Sequence, residues 1–141
     1  MRRIAAVALT AGTLMAGMAA VGTPAEAATS WAPYNSYSNI SAWGTYSRSG
    51  GSTYVKGYLR DSAKNGWTAC VRFLFTEGSK QYWSRHKIIA TTSSGSTYNF
   101  DGKGTVAISA KSSYSSHLWV QECGRNKKTG KYLYGKGKKL F

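Results

Sequence analysis

Few side chains in this sequence can do chemistry, so the search for a catalytic set is short. Beyond residue 27 the carboxylates are Asp61, Glu77, Asp101 and Glu122, and the histidines are His86 and His117. A glycosidase needs two acids facing each other across a cleft. Asp61, Glu77 and Asp101 fall at expected turns, and only Glu122 falls in an expected strand. A small ribonuclease-like hydrolase needs a Glu or His base, a His acid and cations on the phosphate. Glu77 or His86, with His117 and Arg85, supplies those residue types, although their spacing follows no ribonuclease motif. No Gly-x-Ser-x-Gly elbow serves acyl transfer. No HExxH, clustered Cys/His/Asp spacing or acidic loop suits zinc or calcium, and neither a phosphate-binding Gly-rich loop nor a dinucleotide fingerprint is present. The sequence thus assigns no catalytic residue, no metal and no cofactor, with a small hydrolase kept as an alternative.

The residual chemistry lies in two cysteines, and their meaning depends on where the chain resides. Met1-Arg2-Arg3 is a short positive start, Ile4 to Val21 an apolar run, and Ala25-Glu26-Ala27 a small-x-small site after Pro24. This is the pattern of a secretory signal peptide over residues 1–27, and it places the protein outside the cell. An uncleaved membrane anchor fits less well, because the run is rich in Ala and Gly and has no basic stop-transfer flank. Removing 27 of 141 residues leaves 114; the 19 basic and 5 acidic side chains become 17 and 4, a charge of +13. In an exported chain Cys70 and Cys123 are most simply one disulfide. Closing a loop of about 50 residues, it contributes roughly 4 kcal/mol through the lost entropy of the unfolded chain.

Strands must position all of these groups. Residues 28–141 hold five Leu and two Glu but abundant Tyr, Trp, Thr, Ser and Gly, a composition of strand formers and turn residues. In Thr53 to Arg60, Val55, Gly57 and Leu59 share one face, and Tyr54, Lys56, Tyr58 and Arg60 share the other. Asp61 to Gly66 turns the chain into Trp67–Thr76, a heavily apolar and therefore central strand. Further strands are expected at Gln81–Ala90, Thr97–Phe100, Thr105–Ala110, His117–Cys123 and Tyr132–Tyr134, with a first one around Ile40–Tyr46. Short strands at roughly ten-residue intervals predict an all-β fold, a single antiparallel β-sandwich or small barrel with one Cys70–Cys123 disulfide.

Two segments stand outside this pattern. Residues 28–39 carry Trp31, Tyr34 and Tyr37 between Ser, Asn and Pro, and residues 40–141 form the β domain. The segment reads either as a frayed terminus or as an aromatic arm that docks in a partner's groove, so that deleting Ala28 to Tyr37 abolishes the complex and leaves the fold intact. Lys127, Lys128, Lys131, Lys136, Lys138 and Lys139 form a basic hairpin and tail, either plain solvated surface or an electrostatic footprint for an anion.

The segments Tyr54-Val55-Lys56-Gly57-Tyr58-Leu59-Arg60-Asp61, Gly66-Trp67-Thr68-Ala69-Cys70-Val71 and Val120-Gln121-Glu122-Cys123, after an Ala-rich leader and an aromatic arm, resemble small single-disulfide β proteins exported by Gram-positive soil bacteria. Within that group the chain is similar to the adaptor subunit of umbrella toxin particles. The resemblance spans most of residues 28–141. It implies a non-catalytic β domain that links a lectin-like subunit to the repeat-built arm of a large toxin, in a particle that antagonises competing bacteria. It transfers no individual binding residue. Independently, the residues predict a secreted binding protein whose contacts are Trp31, Tyr34 and Tyr37 on the arm and Tyr54, Lys56, Tyr58 and Arg60 on the strand face. Basic residues around aromatic anchors speed encounter with an acidic surface. A free-standing cationic antimicrobial or wall-binding protein is the alternative, with an anionic wall polymer as partner. No specific nucleic acid and no stable membrane insertion are expected, although salt-sensitive nucleic-acid binding in vitro is.

Overall fold

The computed structural model describes residues 26–89 and 104–141. The expected strand at 97–100, its neighbouring loop and turn, and nearly all of the expected signal peptide lie outside the described residues.

Ten strands follow one another: β1 (Thr29–Trp31), β2 (Ile40–Ser49), β3 (Ser52–Asp61), β4 (Trp67–Glu77), β5 (Lys80–Trp83), β6 (Lys87–Ile88), β7 (Gly104–Ser112), β8 (His117–Asn126), β9 (Tyr132–Tyr134) and β10 (Lys138–Lys139). One antiparallel sheet has the order β1-β2-β3-β7; the other runs β10-β8-β4-β5, with β6 also on β4 and β9 on β8. The expected all-β fold with a single disulfide is therefore present. Between β2 and β3, Ser49 faces Ser52 across Gly50-Gly51, both at positive φ (57° and 73°). A two-residue turn of that hand matches the right-handed twist of its strands, and glycine adopts it without Cβ strain.

The core lies between the inner faces of the two sheets. Trp31, Ile40, Ala42, Val55, Leu59 and Ile108 of the first meet Ala69, Val71, Phe73, Phe75, Leu118 and Val120 of the second. The alternation read from Thr53 to Arg60 is the alternation observed, with Val55 and Leu59 inside and Lys56, Tyr58 and Arg60 exposed. β4 is central, flanked by β8 and by β5 with β6. Cys70 and Cys123 face each other on β4 and β8 and are joined, with 4.6 Å between their Cα atoms.

Three expectations need correction. Residues 28–39 are built into the domain rather than appended to it: β1 pairs with β2, and Trp31 is only 3% exposed. Its ring meets Phe73 edge-on at 5.1 Å, and its Nε1–H donates to the Lys56 carbonyl at 3.1 Å. A side chain that fills the protein's own core is not available to a partner, and deleting the segment removes a core residue. The strand expected over Gln81–Ala90 is broken in two. Trp83 pairs with Leu74 and Lys87 with Val71, so one extra residue bulges out opposite Arg72. Ser84 stabilises the break, its Oγ accepting from the Phe73 N–H at 2.9 Å. Asp61 is the buried end of β3, not an exposed turn residue; its carboxylate accepts from the N–H groups of Ala63 and Ala69, both at 3.1 Å. The Lys-rich tail, where no strand is expected beyond Tyr134, is paired as well. β10 pairs with β8, Leu140 donates its N–H to the Leu118 carbonyl, and the Phe141 ring stacks on Tyr46 at 5.1 Å.

Candidate binding faces

Antiparallel strands alternate their side chains, so each sheet has a second, outward face. On the first sheet β2 presents Trp43 and Thr45, β3 presents Tyr54, Lys56, Tyr58 and Arg60, and β7 presents Ala107 and Ser109. Trp43 and Tyr58 face each other across the strands, 41% and 49% exposed, with ring centroids 5.8 Å apart. Beside them lies a shallow cavity of about 450 Å³ lined by Trp43, Thr45, Lys56, Tyr58, Ala107 and Ser109, over a floor of Gly44 and Gly57. Those two glycines are cross-strand partners. A Cβ on Gly44 would overlap the Lys56 carbonyl, and one on Gly57 would overlap the Trp43 carbonyl and come within 2.8 Å of the Trp31 ring. The close approach of the two backbones, and at Gly57 the buried tryptophan as well, thus requires bare glycine beneath the cavity.

All four strand-face residues named from the sequence lie on this one face. Their surroundings differ: Lys56, Tyr58 and Arg60 are open to solvent, whereas Tyr54 is half-buried, with the Lys111 ammonium 4.9 Å from its ring centroid. The three arm aromatics, by contrast, go to three different places. Trp31 is in the core, Tyr37 packs half-buried against it, and Tyr34 is 53% exposed near the ammonium groups of Lys136 and Lys138, at 5.8 and 5.7 Å.

The second sheet's outward face is of another kind. The Arg72 guanidinium lies 3.9 Å from the ring centroid of Trp83 and 4.0 Å from that of Tyr134, reaching from β4 to rings on either side. Its Nε–H donates to Gln121 Oε1 at 2.8 Å. His86, carried out by the bulge, stacks on Tyr132 at 4.1 Å and hydrogen-bonds the Tyr134 hydroxyl at 3.0 Å. Burial, reinforced by the Arg72 charge, pushes the His86 pKa below the usual imidazole value. Arg125 lies 6.0 Å from the Tyr132 ring, and Lys139 the same distance from Trp119. Sequence reading missed this cluster because its members are far apart in the chain. One local signal existed: Arg72 interrupts an otherwise apolar strand.

The hydrolase candidates are not gathered into one site. His86 lies opposite Arg72 and His117 opposite Thr76, which is about 13 Å along the strand at 3.3 Å per residue. Glu77 adjoins His117, but its carboxylate accepts from the Ser115 N–H at 2.8 Å, which lowers its pKa. Glu122, the one acid expected in a strand, points inward and is wholly buried; Oε2 accepts from the Ser36 N–H at 2.7 Å, and burial raises its pKa. Among the described residues the one group of metal-ligating side chains is Cys70, His86 and Cys123, within 4.8 Å of one another, and its two sulfurs are bonded together. Compared with protein-family models, curated proteins and solved structures, the chain matches none.

Proposed function

We propose that this protein is an exported, non-catalytic adaptor that docks on a partner protein in an extracellular assembly. The observation that carries the reading is the cavity between Trp43, Tyr58 and Lys56. Exposed Trp and Tyr beside a concave floor are the residues that most often anchor interfaces, and lysines and arginines at the rim speed encounter with an acidic surface. The resemblance to the umbrella-particle adaptor subunit points the same way, and a disulfide suits an oxidising compartment.

Tagged purification from the producing culture's supernatant at moderate salt, followed by mass spectrometry, tests it. The expected result is stoichiometric recovery of a large repeat protein and a lectin-like protein, lost in a Trp43→Ala/Tyr58→Ala variant that still folds. Recovery of this chain alone overturns the reading.

A further inference from the structure

The outward face of the second sheet has a use that protein docking does not explain. Arg72 is held in place by two rings and Gln121, which fixes its plane and leaves its terminal N–H groups without a hydrogen-bond partner among the described residues. A planar, pre-oriented guanidinium is the side chain best matched to an oxyanion that accepts two parallel hydrogen bonds. No carboxylate within the described residues answers it. Glu122 and Asp61 are buried, Glu77 is tied to Ser115 at the end of β4, and Glu26 pairs with Arg48 at 2.9 Å. We infer that this face binds a linear phosphodiester-linked polyol, the chemistry of anionic wall polymers, with Arg72 as the central phosphate fork.

Three features select that ligand. The cations form a row: Arg125 opposes Thr68, Arg72 opposes Gln121, and Lys139 opposes Trp119 two residues further along β8. At about 3.3 Å per strand residue the row extends roughly 20 Å, so it suits an anion whose charge repeats along a chain. Secondly, the rings are already in use. Trp83 and Tyr134 hold Arg72, and Tyr132 is stacked on His86, so each has given up a face that a nucleobase would need. A polyol phosphate asks for charge and hydrogen bonds but no stacking platform. Thirdly, beyond residue 27 the chain has 17 basic side chains against 4 acidic ones, an overall field that favours a polyanion. The inference is independent of the adaptor reading, because it rests on the opposite face.

The test uses the secreted protein and three probes: a soluble poly(glycerol phosphate), single-stranded poly(dT) and poly-glutamate, each titrated at moderate salt. Isolated cell walls before and after hydrofluoric acid, which strips the phosphodiester polymer, give a sedimentation readout. The expected result is tightest binding to poly(glycerol phosphate) and loss of wall sedimentation after stripping. Arg72→Gln weakens binding at least tenfold and Arg72→Lys several-fold, since lysine keeps the charge without the fork. Lys64→Gln, an equal loss of charge at an exposed position of the β3–β4 connection, changes it less than twofold. Equal effects of Lys64→Gln and Arg72→Gln reduce the binding to diffuse charge and overturn the proposal. So does equal or tighter binding of poly(dT) or poly-glutamate. If Arg72→Lys binds as well as the parent, or if Arg72→Gln lowers only the unfolding temperature, the arginine is a sheet staple and the proposal fails. None of these outcomes touches Trp43 or Tyr58, so failure here and failure of the adaptor reading are separable.

Discussion

The two outward faces are built from the same residue types and differ in what covers the rings. On the first sheet Trp43 and Tyr58 tilt together over a glycine floor with solvent above them. On the second, Arg72 takes one face of Trp83 and of Tyr134, and His86 one face of Tyr132, although Trp83 and Tyr134 stay 39% and 41% exposed, much as Trp43 is. A ring that carries no cation offers its apolar area to a partner, whereas a ring under a guanidinium has committed one face to holding that cation still. Composition alone cannot distinguish these uses, because each face combines aromatic rings with Lys or Arg, and which ring meets which cation depends on strands distant in the chain. Each face also rests on a buried anchor, Trp31 beneath the first and the disulfide within the second. Cutting the anchors is the strongest way to separate them.

Breaking the disulfide has the largest expected effect. Cys70 and Cys123 are 53 residues apart, so loop-closure entropy assigns the bond about 4 kcal/mol, within a total stability of about 5–15 kcal/mol for a domain of this kind. Denaturant unfolding with and without reductant measures it. An equal midpoint in the two conditions contradicts the assignment. Trp31→Ala follows closely, at about 3–5 kcal/mol for an emptied aromatic site. Because the Trp31 ring lies against Gly57, the loss also loosens the cavity above, so partner recovery falls along with stability. If Trp31→Ala unfolds at the parent's midpoint, the arm is separable after all.

The anchors show how much of the molecule was readable in its sequence. The period of two from Thr53 to Arg60 settles which residues face out, because one face of β3 is buried by the other sheet. The cysteine pair needs no further information than its count and compartment. Other features depend on partners distant in the chain. Nothing near Trp31 distinguishes a core tryptophan from a docking one; the decision is made by Gly57 and Phe73, which leave room for it and face it. The break at Ser84 has a local trace, the polar run Ser84-Arg85-His86-Lys87 between Trp83 and Ile88, but only the Ser84 hydroxyl's bond to Phe73 fixes where the strand stops. β10 is two lysines, a composition that suggests solvent, yet it is aligned by Leu140 and Phe141 packing under Tyr46. The second face unites β4, β5, β8 and β9, so its clamp has no local signature beyond a lone arginine.

A smaller effect sharpens the contrast between bare and covered rings. Trp43→Ala and Tyr58→Ala each remove a side chain that is about half exposed, so each costs the fold little, within about 1 kcal/mol of the parent. As interface anchors each costs about 2 kcal/mol or more of binding, roughly thirtyfold in affinity. Titration of the purified partner and thermal unfolding of the free protein read the two quantities separately. Equal losses in both would make the pair structural, like the clamp across the sandwich.

The smallest expected effect is a pH dependence that belongs to the second face alone. Burial, and then the Arg72 charge, hold the folded His86 pKa below 6.5, so the fold favours the neutral imidazole that stacks on Tyr132 and bonds the Tyr134 hydroxyl. Between that lowered value and 6.5 the unfolded chain binds more protons, so this contribution is complete above pH 6.5 and is lost as the pH falls through the window. Buried Glu122 acts with the opposite sign: its raised pKa means the folded state binds more protons above 4.5, and its contribution declines as the pH rises. The two are separated with His86→Phe, which keeps a ring on Tyr132 but cannot titrate. Subtracting the variant's stability from the parent's at each pH cancels Glu122. The difference is expected to fall towards acid below pH 6.5 and to be flat above it. A flat difference throughout would place His86 in solvent, and a difference that rises towards acid would mean the imidazolium is stabilised, which the neighbouring guanidinium forbids.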